Sequence, residues 1–287
     1  KKNEKKQKPT LSLANNQKTL VIVDNFAKYY AINIKTGELL WSKRNSAPFN
    51  SQIKIYKDKF FVTDFDNILK CFSIKDGKEL WNVKTETTFI KSQKKLSLVI
   101  LSGKVYFNNS IGDISAVDIN SGNLIWQTPT QSSSIYESAF LLKTSDLVAN
   151  DESILLSNNK NEFFSINANT GVLNWKQKIN SNLRPTIVNN LVFTVTMEGF
   201  LVVVENPTGN IIRVTNVFDR FKKKKKSKIK PVGFIVGTNN IYLTTDNGRL
   251  IIIDILSGRS SLILKIDNEK ISRPFILNKN LFIVKDN

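Results

Sequence analysis

Few side chains in this sequence have chemistry to offer. Its 287 residues include no histidine and a single cysteine, Cys71. Without imidazole, Ser-His-Asp and Cys-His nucleophile systems are removed, and with them most zinc and copper sites. One cysteine forbids an internal disulfide and any thiolate cluster. Cys71 stands between Lys70 and Phe72 in a strand-like run and reads as a small buried hydrophobe, not a reactive thiol. Close carboxylates occur at Asp64/Asp66 and Asp151/Glu152, but they look like turn residues, and no spacing suggests paired acid–base work. No Gly-rich phosphate loop is present. Catalytic residues, cofactors and metals are therefore all expected to be none, and the chain reads as a non-enzyme.

Charge is the other chemical feature. The formal net charge is +18, and its one local concentration is Arg220 with Lys222, Lys223, Lys224, Lys225 and Lys226, followed by Lys228 and Lys230. Such a run would suit a polyanion: lipid headgroups, lipopolysaccharide or an acidic protein. Lysine greatly outnumbers arginine, whereas base readout and bidentate phosphate contacts favour arginine. Nucleic acid is accordingly not the expected partner. The run is expected to form a solvated, mobile loop making weak, salt-dependent contacts, including contacts with anionic lipid.

The elements that must carry these residues are announced by a repeat. All four tryptophans follow a glycine by four residues: Gly37/Trp41, Gly77/Trp81, Gly122/Trp126 and Gly171/Trp175. Successive tryptophans are 40, 45 and 49 residues apart, a period of roughly 40–50 that signals a solenoid, propeller or array. Gly209 and Gly258 fill the same slot without the tryptophan, where Arg213 and Leu262 stand instead. Four residues before each glycine lies a polar side chain: Asn33, Ser73, Asp118, Asn167, Glu205 and Asp254. This is tight-hairpin chemistry, in which a short polar group accepts from turn N–H groups and glycine supplies a positive φ. Ten residues upstream a second turn slot holds Gly112, Gly199, Gly248, Asn67 and Asn161, with Ala27 as the exception. The tryptophans are read as packing between neighbouring blades or over the glycine hairpins, not as ligand-stacking groups. Where Arg213 and Leu262 replace them, weaker or differently packed interfaces are expected.

Between the slots run short β-branched segments such as Ile114–Ile119 and Leu250–Ile255, giving about four strands per unit. Four-stranded units with this period describe an all-β fold, a β-propeller of antiparallel blades. No stretch shows sustained helical periodicity. Residues 1–10 read as a disordered basic tail and 11–287 as a single propeller domain with six complete repeats and a partial seventh. Seven blades are expected, the segment Thr10–Ala14 completing the blade begun near the C-terminus, with eight as the alternative. No leader is visible, so the chain reads as a mature or trimmed form.

The unit Ile111-Gly112-Asp113-Ile114-Ser115-Ala116-Val117-Asp118-Ile119-Asn120-Ser121-Gly122-Asn123-Leu124-Ile125-Trp126 resembles the pyrroloquinoline-quinone-type propeller repeat. Pro48, Pro185, Pro231 and Pro274 match the proline that begins such blades. Two groups share the repeat: quinone-dependent dehydrogenases, and the non-enzymatic scaffolds of the outer membrane protein assembly factor BamB family. Size and repeat style are more similar to the latter, and the dehydrogenases' adjacent cysteine pair is missing. The resemblance implies a periplasmic, monomeric scaffold, anchored to the outer membrane as a lipoprotein. It would bind an envelope protein, a component of the outer-membrane β-barrel assembly machinery, through loops on one face. By analogy the partner-binding residues are Ile135, Tyr136 and Phe140, in the insertion after the third tryptophan. The family's arginine and leucine-rich neighbours have no clear counterpart there. A quinone-dependent oxidoreductase relative and a polyanion-binding propeller using residues 220–230 are the alternatives.

Overall fold

The computed structural model describes residues 9–86, 95–130 and 143–285. Contacts group the chain into two compact units, Lys1–Leu142 and Lys143–Asn287. The first holds three four-stranded sheets. They are β1 (Leu11–Asn15), β2 (Thr19–Asp24), β3 (Lys28–Asn33) and β4 (Leu39–Arg44); β5 (Lys54–Tyr56), β6 (Lys59–Thr63), β7 (Ile68–Ser73) and β8 (Glu79–Lys84); and β9 (Leu98–Leu101), β10 (Lys104–Asn108), β11 (Ile114–Asp118) and β12 (Leu124–Thr128). The second unit repeats the plan with β13 (Val148–Ala149), β14 (Ser153–Asn158), β15 (Glu162–Asn167) and β16 (Leu173–Gln177), then β17 (Thr186–Val188), β18 (Leu191–Val195), β19 (Phe200–Glu205) and β20 (Ile211–Asn216). A one-turn helix α1 (Lys223–Lys226) precedes β21 (Pro231–Val236), β22 (Asn240–Thr245), β23 (Arg249–Asp254) and β24 (Ser260–Lys265). A two-stranded hairpin, β25 (Phe275–Leu277) and β26 (Asn280–Phe282), follows. Every pairing between these strands is antiparallel and in chain order.

The repeat read in the sequence holds at atomic detail. In all six sheets the slot glycine has φ between +65° and +77°. Its N–H donates to the carbonyl four residues back, from Gly37 to Asn33 through Gly258 to Asp254. In all six the third and fourth strands slip by one residue just after this turn, at Ala31/Ile32, Cys71/Phe72, Ala116/Val117, Ser165/Ile166, Val203/Val204 and Ile252/Ile253. Such a bulge adds twist to the outer strand. The upstream slot is likewise left-handed in all six copies, from +57° at Asn67 to +96° at Gly112, and Ala27 is no exception at +68°.

Within each unit, alternation along a strand places its two faces against two neighbouring blades. Phe60 packs with Val21, Val23 and Tyr29 of the preceding blade, whereas Phe61 packs with Leu98, Val105 and Phe107 of the following one. The second unit does the same: Val192 meets Leu155 and Phe163, and Phe193 meets Phe234, Ile241 and Leu243. Burial of both faces of most second and third strands explains why these runs are largely apolar. Pro185 and Pro274 immediately precede β17 and β25, and Pro231 opens β21, positions where a missing N–H breaks no ladder.

One expectation is corrected. Thr10–Ala14 does not complete a blade begun at the other end of the chain. Leu11–Asn15 pairs with Thr19–Asp24 as the first strand of the first sheet, because a tight turn at Asn16–Thr19 makes the local hairpin available at little loop entropy.

Candidate functional site

Ile135, Tyr136 and Phe140 fall in 131–142, outside the described residues. That segment joins β12 to β13, the same connection in the repeat that the basic run makes between β20 and β21.

The tryptophans are spent on packing. In the first unit the Trp41 ring lies on the turn of the next blade, so close that a Cβ on Gly77 would stand 2.8 Å from its Cε3. Its Nε1 donates to the Ile74 carbonyl at 2.8 Å, and its ring stacks 6.1 Å from Phe60. Trp81 lies on Gly122 in the same way, although its Nε1 finds no acceptor among the described residues. Trp126 is buried beside Tyr106, with ring centroids 5.9 Å apart. In the second unit Trp175 covers Gly209, donates to the Asn206 carbonyl at 2.5 Å and meets Phe163 edge-on. Trp41 and Trp175 thus each have a ring face against a glycine turn and the ring edge tied to a backbone carbonyl of the adjacent blade.

Arg213 shows how the tryptophan is replaced. Its guanidinium donates to the Ile255 carbonyl at 2.8 Å and to the Leu256 carbonyl, in the turn that carries Gly258. The interface is therefore differently packed, with a charged fork serving as the clamp. Leu262, the other replacement, is 46% exposed.

The basic segment is pinned at both ends. Val217 and Phe218 are fully buried, and the Phe218 ring fills the space where a side chain on Gly199 would lie. Phe221 packs edge-on against Phe218 at 5.9 Å. The Arg220 guanidinium donates to the Ser261 carbonyl at 2.7 Å, and Ile229 is buried. At the far end Lys230 and Asp246 exchange hydrogen bonds, the Lys230 N–H reaching the Asp246 carboxylate at 2.9 Å. Between these anchors α1 buries no residue, and Lys222, Lys223, Lys224 and Lys225 are exposed.

The titratable groups noted in the sequence are structural. Cys71 is fully buried in β7, and burial pushes its thiol up to about 12. Asp64 caps a turn: one carboxylate oxygen accepts from the Asp66 and Ile68 N–H groups, the other from the Asn45 amide. Burial raises its pKa, and the hydrogen bonds only partly offset that. Asp113 is raised for the same reason, with Asn109 and Gln127 as partners. Among the described residues no group of three or more Cys, Asp or Glu is placed to hold a metal ion.

Sequence reasoning missed a second set of caps. Three residues before each upstream slot stands an acceptor, Asp24, Asp64, Asn109, Asn158, Thr196 or Thr245, whose side-chain oxygen takes turn N–H groups. Their fixed offset was a readable signal. The amide of Asn67 bridging to Ser110 at 2.8 Å, from one blade to the next, was not.

Four-stranded antiparallel blades clamped by a glycine turn and a tryptophan define a β-propeller of the pyrroloquinoline-quinone repeat type. A family model described as outer membrane protein assembly factor BamB matches residues 3–215, and the chain belongs to that family. The BamB of Moranella endobia is 21% identical over 241 residues, covering 81% of this chain and 61% of that protein. The BamB of Legionella pneumophila is 24% identical over 217 residues, covering 72% and 50%. The chain thus spans roughly half to three-fifths of the curated relatives it matches. Among solved structures, BamB from Moraxella catarrhalis superposes with a TM-score of 0.76 at 16% identity, over 95% of this chain and 78% of that one. The quinohemoprotein alcohol dehydrogenase of Comamonas testosteroni shares the fold, with a TM-score of 0.66 at 12% identity over 95% and 63%. The cysteine pair noted for such dehydrogenases has no counterpart here: the one cysteine lies in a buried strand face among Phe61, Leu69 and Leu98.

Proposed function

We propose that the chain serves outer-membrane β-barrel protein assembly as a non-catalytic, monomeric scaffold in the periplasm, held at the outer membrane by a lipid anchor. The family match over residues 3–215 carries this reading, since the matched relatives are outer membrane protein assembly factors. The commitment of the tryptophans and Arg213 to blade packing agrees with it: the repeated side chains build a frame, and loops are left to bind. The partner is an envelope protein of the assembly machinery, and its contact is the insertion after β12, with Ile135, Tyr136 and Phe140 as apolar anchors.

The test is co-purification. Tagged chain should capture an envelope assembly component, and Ile135→Asp with Tyr136→Asp should abolish capture while leaving the melting temperature nearly unchanged. Undiminished capture by that variant would refute the site. Failure of the unmodified chain to capture any envelope protein would refute the scaffold. A quinone absorbance in the purified protein would restore the oxidoreductase alternative.

A further inference from the structure

We infer that the segment Arg220–Lys230 is a preformed docking surface for an anionic membrane. From Arg220 to Lys230 the chain carries one arginine and seven lysines and no carboxylate. Like charges at this density repel, and an unattached loop would relieve the repulsion by spreading into solvent. Here the segment is instead fastened by Phe218, Ile229, the Arg220–Ser261 bond and the Lys230–Asp246 pair. Five consecutive lysines are thereby held on and beside a single helical turn, and α1 contributes nothing to the core. None of the seven lysines forms an ion pair among the described residues. The arrangement presents charge outward, and among the described residues no ion pair neutralises it.

The chemistry of the display selects the partner. The only arginine has one guanidinium nitrogen tied to a backbone carbonyl, and the seven lysines carry no fork, so the run as a whole is not built for bidentate recognition of one phosphate or one guanine edge. Phe221, the one aromatic ring in the run, is packed edge-on against Phe218 instead of being free to stack on a base. What remains is a set of ammonium point charges, suited to a diffuse sheet of phosphates where no single site dominates. Clusters of four to eight such cations bind anionic bilayers, each contributing about a fivefold gain in partition. The choice of a membrane over a nucleic-acid backbone rests on the proposed envelope function. The charge display itself does not. Docking there would set how the repeat scaffold is oriented against the bilayer.

The experiment uses the full 287-residue chain with vesicles of phosphatidylcholine containing about 30% phosphatidylglycerol, and with pure phosphatidylcholine as reference. Sedimentation should show binding to the anionic vesicles only, falling steeply between about 50 and 200 mM salt. The triple variant Lys223→Gln, Lys224→Gln, Lys225→Gln touches only exposed side chains and should keep the wild-type melting temperature. It should bind about 100-fold more weakly, the product of three fivefold steps. Equal binding by variant and wild type would overturn the assignment, as would binding to neutral vesicles. Tighter binding to a DNA duplex at equal phosphate concentration would overturn it in favour of nucleic acid. Competition by inorganic phosphate beyond that of chloride at matched ionic strength would overturn it in favour of a discrete anion site. Partner capture is scored separately in detergent without a bilayer, so a failure of the scaffold reading and a failure of membrane docking are told apart.

Discussion

Replacing Gly77 by alanine should destabilise the protein far more than the same change at Gly37, although the two turns are alike in sequence and backbone. Both glycines have positive φ, +65° and +76°, and both donate to the carbonyl four residues back. Alanine in that region costs roughly 1–2 kcal/mol, offset by about 0.4–1 kcal/mol through the reduced freedom of the unfolded chain. That balance applies to both. At Gly37 nothing lies within 4 Å of the added methyl, so the net loss should be about 1 kcal/mol or less. At Gly77 the methyl would stand 2.8 Å from Trp41 Cε3 and 2.9 Å from Cζ3. The indole has no easy retreat: its Nε1 is bonded to Ile74 in the same turn, Phe60 stacks beside it, and Tyr29 meets it edge-on at 5.7 Å. Overpacking against such a group adds about 1–3 kcal/mol. Both sites lie in the same compact unit, so urea unfolding followed by far-UV circular dichroism compares them directly. In a Trp41→Leu background the Gly77→Ala loss should shrink toward that of Gly37→Ala, giving a coupling free energy of about 1 kcal/mol or more. Equal losses at the two glycines, or no coupling to Trp41, would refute the clamp.

Arg213→Ala should cost about 1–3 kcal/mol in urea unfolding, since it strips a charged donor from the Ile255 and Leu256 carbonyls. Arg213→Lys should recover little of that, because one ammonium cannot span both acceptors. Cys71, with its thiol pushed up to about 12 inside the sheet, should resist Ellman's reagent at mildly alkaline pH and react only as urea unfolds the protein; rapid labelling of the native chain would contradict its burial. The Asp118 carboxyl is held below its ordinary value, chiefly by the Ser121 N–H, then by the Ser121 hydroxyl and the Asn120 N–H. Its stabilising effect should be present above the unfolded carboxylate pKa, near 4, and fade as pH falls through the lower folded value. A carbon-13 NMR titration should show Ser121→Ala moving that pKa upward, and an unmoved value would remove these hydrogen bonds as its cause.

The sequence alone determined the repeat, because a blade is a local object. Both turns, the bulge after the slot glycine and four hairpin-linked strands are specified within one unit by glycine, asparagine and short acceptors at fixed offsets, and six copies make the offsets visible. It likewise determined what chemistry is missing, since absent histidine needs no coordinates. What lies between blades was decided by tertiary structure. Arg213 in the tryptophan slot implied a weaker or differently packed interface, and its length and forked donors, reaching two carbonyls some 40 residues away, make it differently packed. The lysine run reads in sequence as a solvated loop because its charges dominate the local pattern. The residues that fasten it, Phe218 under Gly199 and Arg220 on Ser261, act through neighbours distant in sequence. The first strand's pairing, by contrast, was decided locally. An apolar stretch at Leu11–Asn15 would suit either end of the chain, and the short turn to Thr19 settled it in favour of the partner that costs least entropy to reach.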